Sequence, residues 1–365
     1  MSILNFIRLT HNEDYGIEFG RFIKLKSTNP PVKTCTAKAS KIIEVLMMDH
    51  IPEYRRKQFR TIYESLYENL KIAKKSIAEN LDVCKKTAYT RFEEAMQHRI
   101  IVGPEIRKRS YTNLSEYMCF AKCEDPESAY LTCCRNPIVF YNALASGFCN
   151  LWVIAKDTID IDGDIIIEGY RSDYHVSYAP DHSWEKALNI LKKRVENFNF
   201  DDYTPKEIIK THLDNRIPWD DKDELLYQGL KYFLRNRTHS IMEEHTIPLS
   251  KVNRFMEDLP QYCTIATQYF PDGRSHYDPY LYMVRTNYED YIIELFSQLP
   301  TSSTFFNLSG MLFFHIYIAR GYPEISPHPF YEKRCISRLI KDLVKKGVIK
   351  DVNRIHDEET HEKAL

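Results

Sequence analysis

The chain repeats itself at one fixed interval. Ser76-Ile77 recurs as Ser240-Ile241, Tyr63, Leu66 and Leu70 recur as Tyr227, Leu230 and Leu234, and Ile154-Ala155-Lys156 recurs as Ile318-Ala319-Arg320. Each pair has the same separation, since 240 − 76 = 164 and 318 − 154 = 164. Ala88, Phe92 and Ala95 fall opposite the apolar residues Val252, Met256 and Leu259. An ungapped register held over so long a stretch confines the chain to two copies of one folding unit, able to pair as a dimer inside a single polypeptide. A length of 365 residues, at roughly 100–200 residues per domain, accommodates about two to four domains and so fits a doubled two-domain unit.

Hydrophobic spacing gives the order of elements within a copy. Ala37–Met48 carries Ile42, Ile43, Leu46 and Met47 at helical spacing and is broken at Ile51-Pro52; in the second copy Thr204-Pro205 opens a helix with Ile208 and Ile209 that ends by Ile217-Pro218. Phe59, Ile62, Tyr63, Leu66 and Leu70 trace one face of a helix over Arg55–Leu70. A short helix with Ile77, Ala78 and Leu81, a turn at Asp82–Cys84, and a third helix burying Ala88, Phe92, Ala95 and Met96 predict a helix-turn-helix over Ser76–Ile101. Ile100–Val102, Gly103-Pro104 and Glu105–Tyr111 then read as strand, turn and return strand of a wing.

Beyond the wing the period changes from helical to alternating. Tyr117–Lys122, a helix from Asp125 to Cys134, the strands Ile138–Leu144 and Asn150–Ala155, and a helix over Ser183–Val195 predict an α+β sandwich of ferredoxin-like type. The second copy gives Tyr280–Val284, Tyr288–Leu299, Thr304–Leu308, Leu312–Ala319, Cys335–Lys346 and Val348–Val352 in the same order. The expected fold is therefore α+β, with two tandem units, each a winged helix-turn-helix followed by a ferredoxin-like βαββαβ domain. The expected boundaries are an N-terminal arm at 1–33, a winged helix-turn-helix at 34–112, an α+β domain at 113–200 with an insertion at 157–181, a second winged helix-turn-helix at 201–277, a second α+β domain at 278–355 and a tail at 356–365.

Composition removes several classes of function. No apolar run reaches the roughly 18 residues of a membrane span, and Met1–Thr10 has no basic flank before an apolar stretch, so a cytoplasmic chain is expected. Nine cysteines, an odd number that includes adjacent Cys133-Cys134, do not make a disulfide framework in a chain this long. Cys119, Cys123, Cys133 and Cys134 read as buried thiols rather than as a metal site, and neither a metal nor a cofactor is expected. A net charge of −1 excludes a uniformly basic coat, so any contact with nucleic acid must come from a local patch. Phosphate-binding glycine loops, nucleophile elbows and HExxH helices are missing from the sequence, and no catalytic residue is assigned.

Such a patch is present in the first copy. Lys85, Lys86, Thr87, Tyr89, Thr90 and Arg91 lie on the expected third helix, Lys74 and Lys75 open the second, and Arg107, Lys108 and Arg109 lie on the wing, where phosphates and base edges of double-stranded DNA would be met. Ser250, Lys251, Asn253 and Arg254 take the corresponding place in the second copy, flanked by Glu243, Glu244, Glu257 and Asp258. The basic surface is thus concentrated in copy one. The insertion, with Arg171, Asp173, Tyr174, His175, Tyr178 and His182, is found only there.

The segment from Ser76 to Pro104 resembles the helix-turn-helix of Lrp/AsnC-type (feast/famine) transcription regulators, and the strand-helix-strand-strand-helix order after it resembles their effector and dimerisation domain. The likeness covers about Arg55–Val195 and about Asp221–Val352; His98-Arg99 stands where a glycine usually ends the recognition helix. The resemblance implies a DNA-binding regulator, a fused dimer able to assemble further into homodimers or higher oligomers. It also implies a small-molecule effector, with Ser146, Gly147, Asn150, Arg171, His175, Ser309 and Gly310 as candidate contacts. Two alternatives stay open. One is a protein-interaction or scaffold protein with degenerate winged helices. The other is an enzyme resembling siroheme decarboxylases, to one of whose segments the strand Asn150–Val153 is similar, with Arg171, His175 and Tyr178 as carboxylate-binding and proton-transfer residues.

Overall fold

The computed structural model describes residues 51–70, 72–236, 238–320 and 331–362, with side chains described as far as Ile355. The expected arm and the Ala37–Met48 helix lie outside the described residues. The chain divides into two compact units, residues 1–57 with 364–365, and residues 58–363. Of the first unit only residues 51–57 are described; they begin helix α1 (Glu53–Glu68), where Lys57 pairs with Glu53 one turn earlier. Everything that follows concerns the second unit.

Its first three helices form as the periodicity predicts. Phe59, Ile62, Tyr63 and Leu66 on α1 are buried, as are Ile77 and Ala78 on α2 (Lys74–Asn80) and Ala88, Phe92 and Ala95 on α3 (Lys85–Gln97). Asp82 in the α2–α3 turn and Arg99 after α3 both adopt positive φ, so the chain turns there without glycine. The expected wing is not formed. β1 runs from Ile101 to Lys108, through Gly103-Pro104, and pairs antiparallel with β7 (Cys263–Tyr269) of the second copy, Ile101 opposite Tyr269 and Lys108 opposite Cys263, with a shift of register between Val102 and Glu105. The repeat supplies an equivalent strand whose backbone groups pair with those of β1 on both sides of Gly103-Pro104.

After β1 come β2 (Tyr117–Lys122), α4 (Pro126–Arg135), β3 (Val139–Gly147), β4 (Leu151–Ala155), β5 (Asp164–Tyr170), β6 (His175–Val176) and α5 (Trp184–Glu196). The second copy contributes α6 (Asp221–Leu230), α7 (Thr238–Glu244), α8 (Leu249–Tyr262), β7, β8 (Tyr277–Thr286), α9 (Glu289–Phe296), β9 (Thr304–Leu308), β10 (Met311–Ala319), α10 (Tyr331–Lys345) and β11 (Ile349–Glu362). Among the described residues nine strands form one sheet in the order β5-β2-β4-β3-β11-β8-β10-β9-β6. The run β11-β8-β10-β9 is the 4-1-3-2 order of a βαββαβ unit. The run β5-β2-β4-β3 has the same order, but its fourth strand is supplied by the insertion, which the sequence placed outside the repeated core.

Alternation explains how one sheet builds three apolar clusters, one between its halves and one on the outer face of each. Met118 and Phe120 on β2, Leu281 and Met283 on β8, Phe306 on β9 and Phe313 on β10 share a cluster in which the two halves of the sheet pack on each other. Their neighbours in sequence face outward: Tyr117, Cys119 and Ala121 meet Tyr130 and Cys133 of α4, while Tyr280, Tyr282, Val284, Phe305 and Phe314 meet α9 and α10. Helix α5 belongs by sequence to the first copy, yet its Leu191 and Val195 are buried in this last cluster. With β5 already in the fourth-strand position, α5 is free to cross over and complete the helical layer of the second copy.

The expected helix at Thr204–Ile209 is also absent. Asp290 accepts hydrogen bonds from the backbone N–H groups of Lys206 (2.6 Å), Glu207 (3.1 Å) and Ile208 (2.9 Å), which holds this stretch, with Glu207 at positive φ, as an irregular strap against the start of α9. A carboxylate that satisfies three successive amides competes directly with helix formation. No helix among the described residues is long and apolar enough to cross a membrane.

Candidate functional site

A cleft of about 380 Å³ opens where the β1–β7 ribbon meets the insertion, lined by Tyr67, Arg109, Tyr174, His175, Lys210 and Thr264 among others. Asp173 organises its polar wall. One carboxylate oxygen accepts from the Ser110 amide (2.8 Å) and the Ser110 hydroxyl (2.9 Å); the other lies 3.2 Å from Arg109 Nη1 and 3.3 Å from His212 Nε2. His212 stacks on Tyr111 with ring centroids 4.7 Å apart, and its own amide donates to Ser110 Oγ. Arg109 is therefore held by one nitrogen, while its Nε is buried and has no hydrogen-bond partner among the described residues. The strap tied down by Asp290 delivers Lys210 to the same wall, with its carbonyl accepting the Asp173 amide at 2.9 Å.

His175 sits on the short strand β6, paired with Phe305 of β9, its ring 6.0 Å from the Phe305 ring. Burial lowers its pKa below the usual histidine value, and the Asp290 carboxylate partly opposes that shift. The unfolded chain takes up a proton near pH 6.5, whereas the folded chain takes it up only at lower pH. Folding stability should consequently fall as pH drops below about 6.5 and on through the lowered pKa. Urea midpoints measured across that range should show a flatter acid limb for His175→Gln than for the parent, and identical limbs would rule out this burial. Tyr67, which lines the same cleft, has its pKa raised by burial.

The residues expected to bind an effector are dispersed. Asn150 is occupied with its own sheet, accepting from Cys123 N and donating to Cys123 O, both at 2.8 Å. Gly147 and its neighbour Ser146 lie on β3 against β11. Ser309 and Gly310 make the β9–β10 turn, where the Ser309 hydroxyl donates to the Glu168 carbonyl. Arg171 is 1% exposed and points away from solvent: Nε donates to Glu116 (2.9 Å), Nη1 to Ser172 O (2.7 Å) and Nη2 to Lys108 O (2.8 Å), and the guanidinium lies 4.0 Å from the Tyr174 ring centre. Tyr178 is bound to Arg60 and Glu64 on α1. Of the effector candidates only His175 lines the cleft. It is joined there by Arg109, which the sequence placed on a wing.

The basic residues expected to meet DNA fall into two groups. Lys85, Lys86, Tyr89 and Thr90 are exposed on α3, with Thr87 half-buried beside them. Lys74 lies 3.7 Å from Glu93 and over the Tyr89 ring, Lys75 is near Glu79, and Arg91 is bound to Gln58 and Glu94. Lys108 is buried against both carboxylate oxygens of Glu224, and Arg107 pairs with Glu105. In the second copy Lys251 bridges Asp220 and Asp223, Arg254 lies near Asp258, and Ser250 and Asn253 are exposed. The sequence shows the positive charges clearly, but their counter-ions come from segments up to 116 positions away.

The cysteines are free thiols among the described residues, and burial pushes Cys119 and Cys263 up to about 12. The described residues contain no cluster of three or more histidine, cysteine or acidic side chains able to hold a metal ion.

No protein-family model and no curated protein sequence matches the chain. Two solved structures are similar to it, both of the siroheme decarboxylase NirDL. One has a TM-score of 0.41 at 12% identity and covers 84% of this chain and 92% of its own; the other, in co-complex with an iron-uroporphyrin III analogue, has a TM-score of 0.37 at 12% identity and covers 80% and 86%. The expectation of an Lrp/AsnC-type transcription regulator is therefore corrected: no family model supports it, and the similar structures are those of an enzyme.

Proposed function

We propose that the chain is an enzyme acting on a carboxylated tetrapyrrole, with the Arg109–His175–Lys210 cleft as its site and decarboxylation as its reaction class. The observation that carries this reading is the state of Arg109, which lines the cleft with its side chain 30% exposed and is anchored by Asp173 through one nitrogen. A guanidinium held in this way offers a carboxylate a charged hydrogen bond. Lys210, an exposed residue, lines the same cleft. In the reaction R–CH2–COO⁻ + H⁺ → R–CH3 + CO2, the carbon–carbon bond breaks, its electron pair stays on the methylene carbon, and that carbon takes a proton. No oxidant is required. In this reading His175, half-buried in the lining of the same cleft, gives the proton.

The two copies of the repeat have separate tasks in this reading. The α+β halves form the walls and supply His175. The ribbon joining the two three-helix segments, which are winged helix-turn-helix units without a hairpin wing, supplies Arg109 and Thr264.

The test is an absorbance titration of the full chain with iron porphyrins carrying carboxylates, followed by product analysis by mass spectrometry. Arg109→Ala combined with Lys210→Ala should weaken binding by about tenfold or more, the range expected on losing charged hydrogen bonds. His175→Gln should retain binding and lose turnover. Binding that is indifferent to both cations would defeat the assignment.

A further inference from the structure

We propose that a second chamber beside the cleft binds a small amphipathic amine, a molecule with an ammonium group at one end, an oxygen atom at the other and a short apolar spine between them. The proposal is independent of the tetrapyrrole reading. The chamber, about 500 Å³, shares Tyr67, Val176 and Ile265 with the cleft and lies where α1 and α8 end beside β7. Its exposed rim is negative. Glu68, the charged residue among the described lining, is exposed and closes the last turn of α1, while exposed Pro260 belongs to the last turn of α8. The carbonyls of a helix's last turn have no partners within the helix and form the negative end of its dipole. Pro260 adds to this, because it has no N–H to give the Met256 carbonyl one turn back, and Met256 also lines the chamber. A carboxylate and two helix ends of the same sign attract a cation to this rim and repel an anion.

The floor makes a different demand. Ile265 and Thr267 alternate onto the same face of β7, and both line the chamber. Thr267 is 2% exposed, and its hydroxyl is buried without a hydrogen-bond partner among the described residues. A hydroxyl buried in this way is costly, and a ligand oxygen that pairs with it removes the cost. The rest of the lining includes Leu70, Leu234 and Leu259, against which methylene groups lose only unfavourable hydration. Glu68 and Thr267 thus place two polar demands at different depths, one at the water and one beneath it. A lone ammonium drawn down to Thr267 would give up its hydration, and a lone alcohol would leave the charge of the rim unused. A chain carrying both groups, one at each end, meets both demands and covers the apolar wall between them.

The full chain, labelled at its methionine methyl groups, is titrated with aminohexanol, hexylamine, hexanol and hexanoate, and the nuclear magnetic resonance signal of Met256 is followed, assigned by its loss in Met256→Leu. Aminohexanol should shift this signal saturably and bind about fivefold more tightly than hexylamine, the value of one hydrogen bond. Hexanol should bind more weakly than either amine, and hexanoate should leave the signal in place. Thr267→Val keeps the side-chain shape; it should remove the advantage of aminohexanol and change hexylamine less than about twofold. Glu68→Gln should weaken both amines by about threefold, the scale of an exposed ion pair, and leave hexanol unchanged. Because the hydroxyl it removes bonds to nothing among the described residues, Thr267→Val should not lower the urea midpoint of the free chain. A lowered midpoint overturns the proposal, since the hydroxyl would then already be bonded. So do hexanol binding as tightly as hexylamine, aminohexanol indifferent to both substitutions, and a Met256 signal that no amine moves. Porphyrin binding in the cleft is measured separately, so either site can fail without the other.

Discussion

Arg171→Ala is expected to cost about 3–5 kcal/mol of folding stability, the range for removing one partner of a buried ion pair. The guanidinium is enclosed by Glu116, two backbone carbonyls and the face of Tyr174, so its loss strands the 9%-exposed Glu116 carboxylate and two carbonyl acceptors together. It also loosens the turn that sets Asp173 and His175 at the cleft, since Ser172 donates its amide to Asn307 O from the adjacent position. Equilibrium urea unfolding of parent, Arg171→Ala and the double variant Arg171→Met with Glu116→Leu separates the contributions. The double variant should recover most of the loss, because replacing both charges with apolar groups removes the stranded carboxylate. If Arg171→Ala alone unfolds at the parental midpoint, the enclosure is not what holds this turn. The sequence identified Arg171 as a ligand contact; it is instead the brace behind the residues that line the cleft.

Gly147→Ala is expected to destabilise the chain by about 3 kcal/mol, combining backbone strain with a steric collision. Gly147 has φ +138°, a conformation that side chains rarely adopt, and a Cβ built there would lie 2.2 Å from the carbonyl oxygen of Arg354. That carbonyl is backbone of β11, the strand joining the two halves of the sheet, so it cannot yield without parting β3 from β11. Thermal unfolding should shift down by several degrees. Gly310→Ala offers a contrast, because no atom lies within 4 Å of the Cβ it would gain, leaving only the strain of φ +76°. Equal losses at the two positions would mean that the approach of Arg354 is unimportant.

These residues show what a sequence can and cannot disclose. Helical spacing identified α1, α2 and α3, and strand alternation identified β9 and β10, because each element's period is set by its own backbone geometry. Gly103-Pro104 was read as a turn from local chemistry alone. Its neighbours found hydrogen-bond partners about 160 positions away in β7, and that distant pairing overrides a turn preference. The insertion looked peripheral because only one copy contains it, yet β5 fills the fourth-strand position and β6 carries His175 to the cleft. Arg109 was legible as a cation but not as a cleft residue, since the side chain fixing it, Asp173, comes from a segment with no sequence signal linking the two. The 164-residue interval gave the clearest warning, for a strand copied at that spacing has a ready-made mate.

The exchange of α5 and the seam between β3 and β11 also bear on how the chain is made. Neither copy is a finished body when its own residues have been synthesised. The sheet of the first copy, which ends at Gly147 on β3, must wait for Ile355 and the residues after it before that edge is covered, and Leu191 and Val195 of α5 must wait for α9 and α10. During translation the first half is thus a long-lived intermediate with an open strand edge and an unsheltered apolar helix, the kind of surface on which chaperones act and aggregates grow. A doubled chain of this design secures the pairing of its halves inside one molecule, and it defers the closure of its core until both copies have been synthesised.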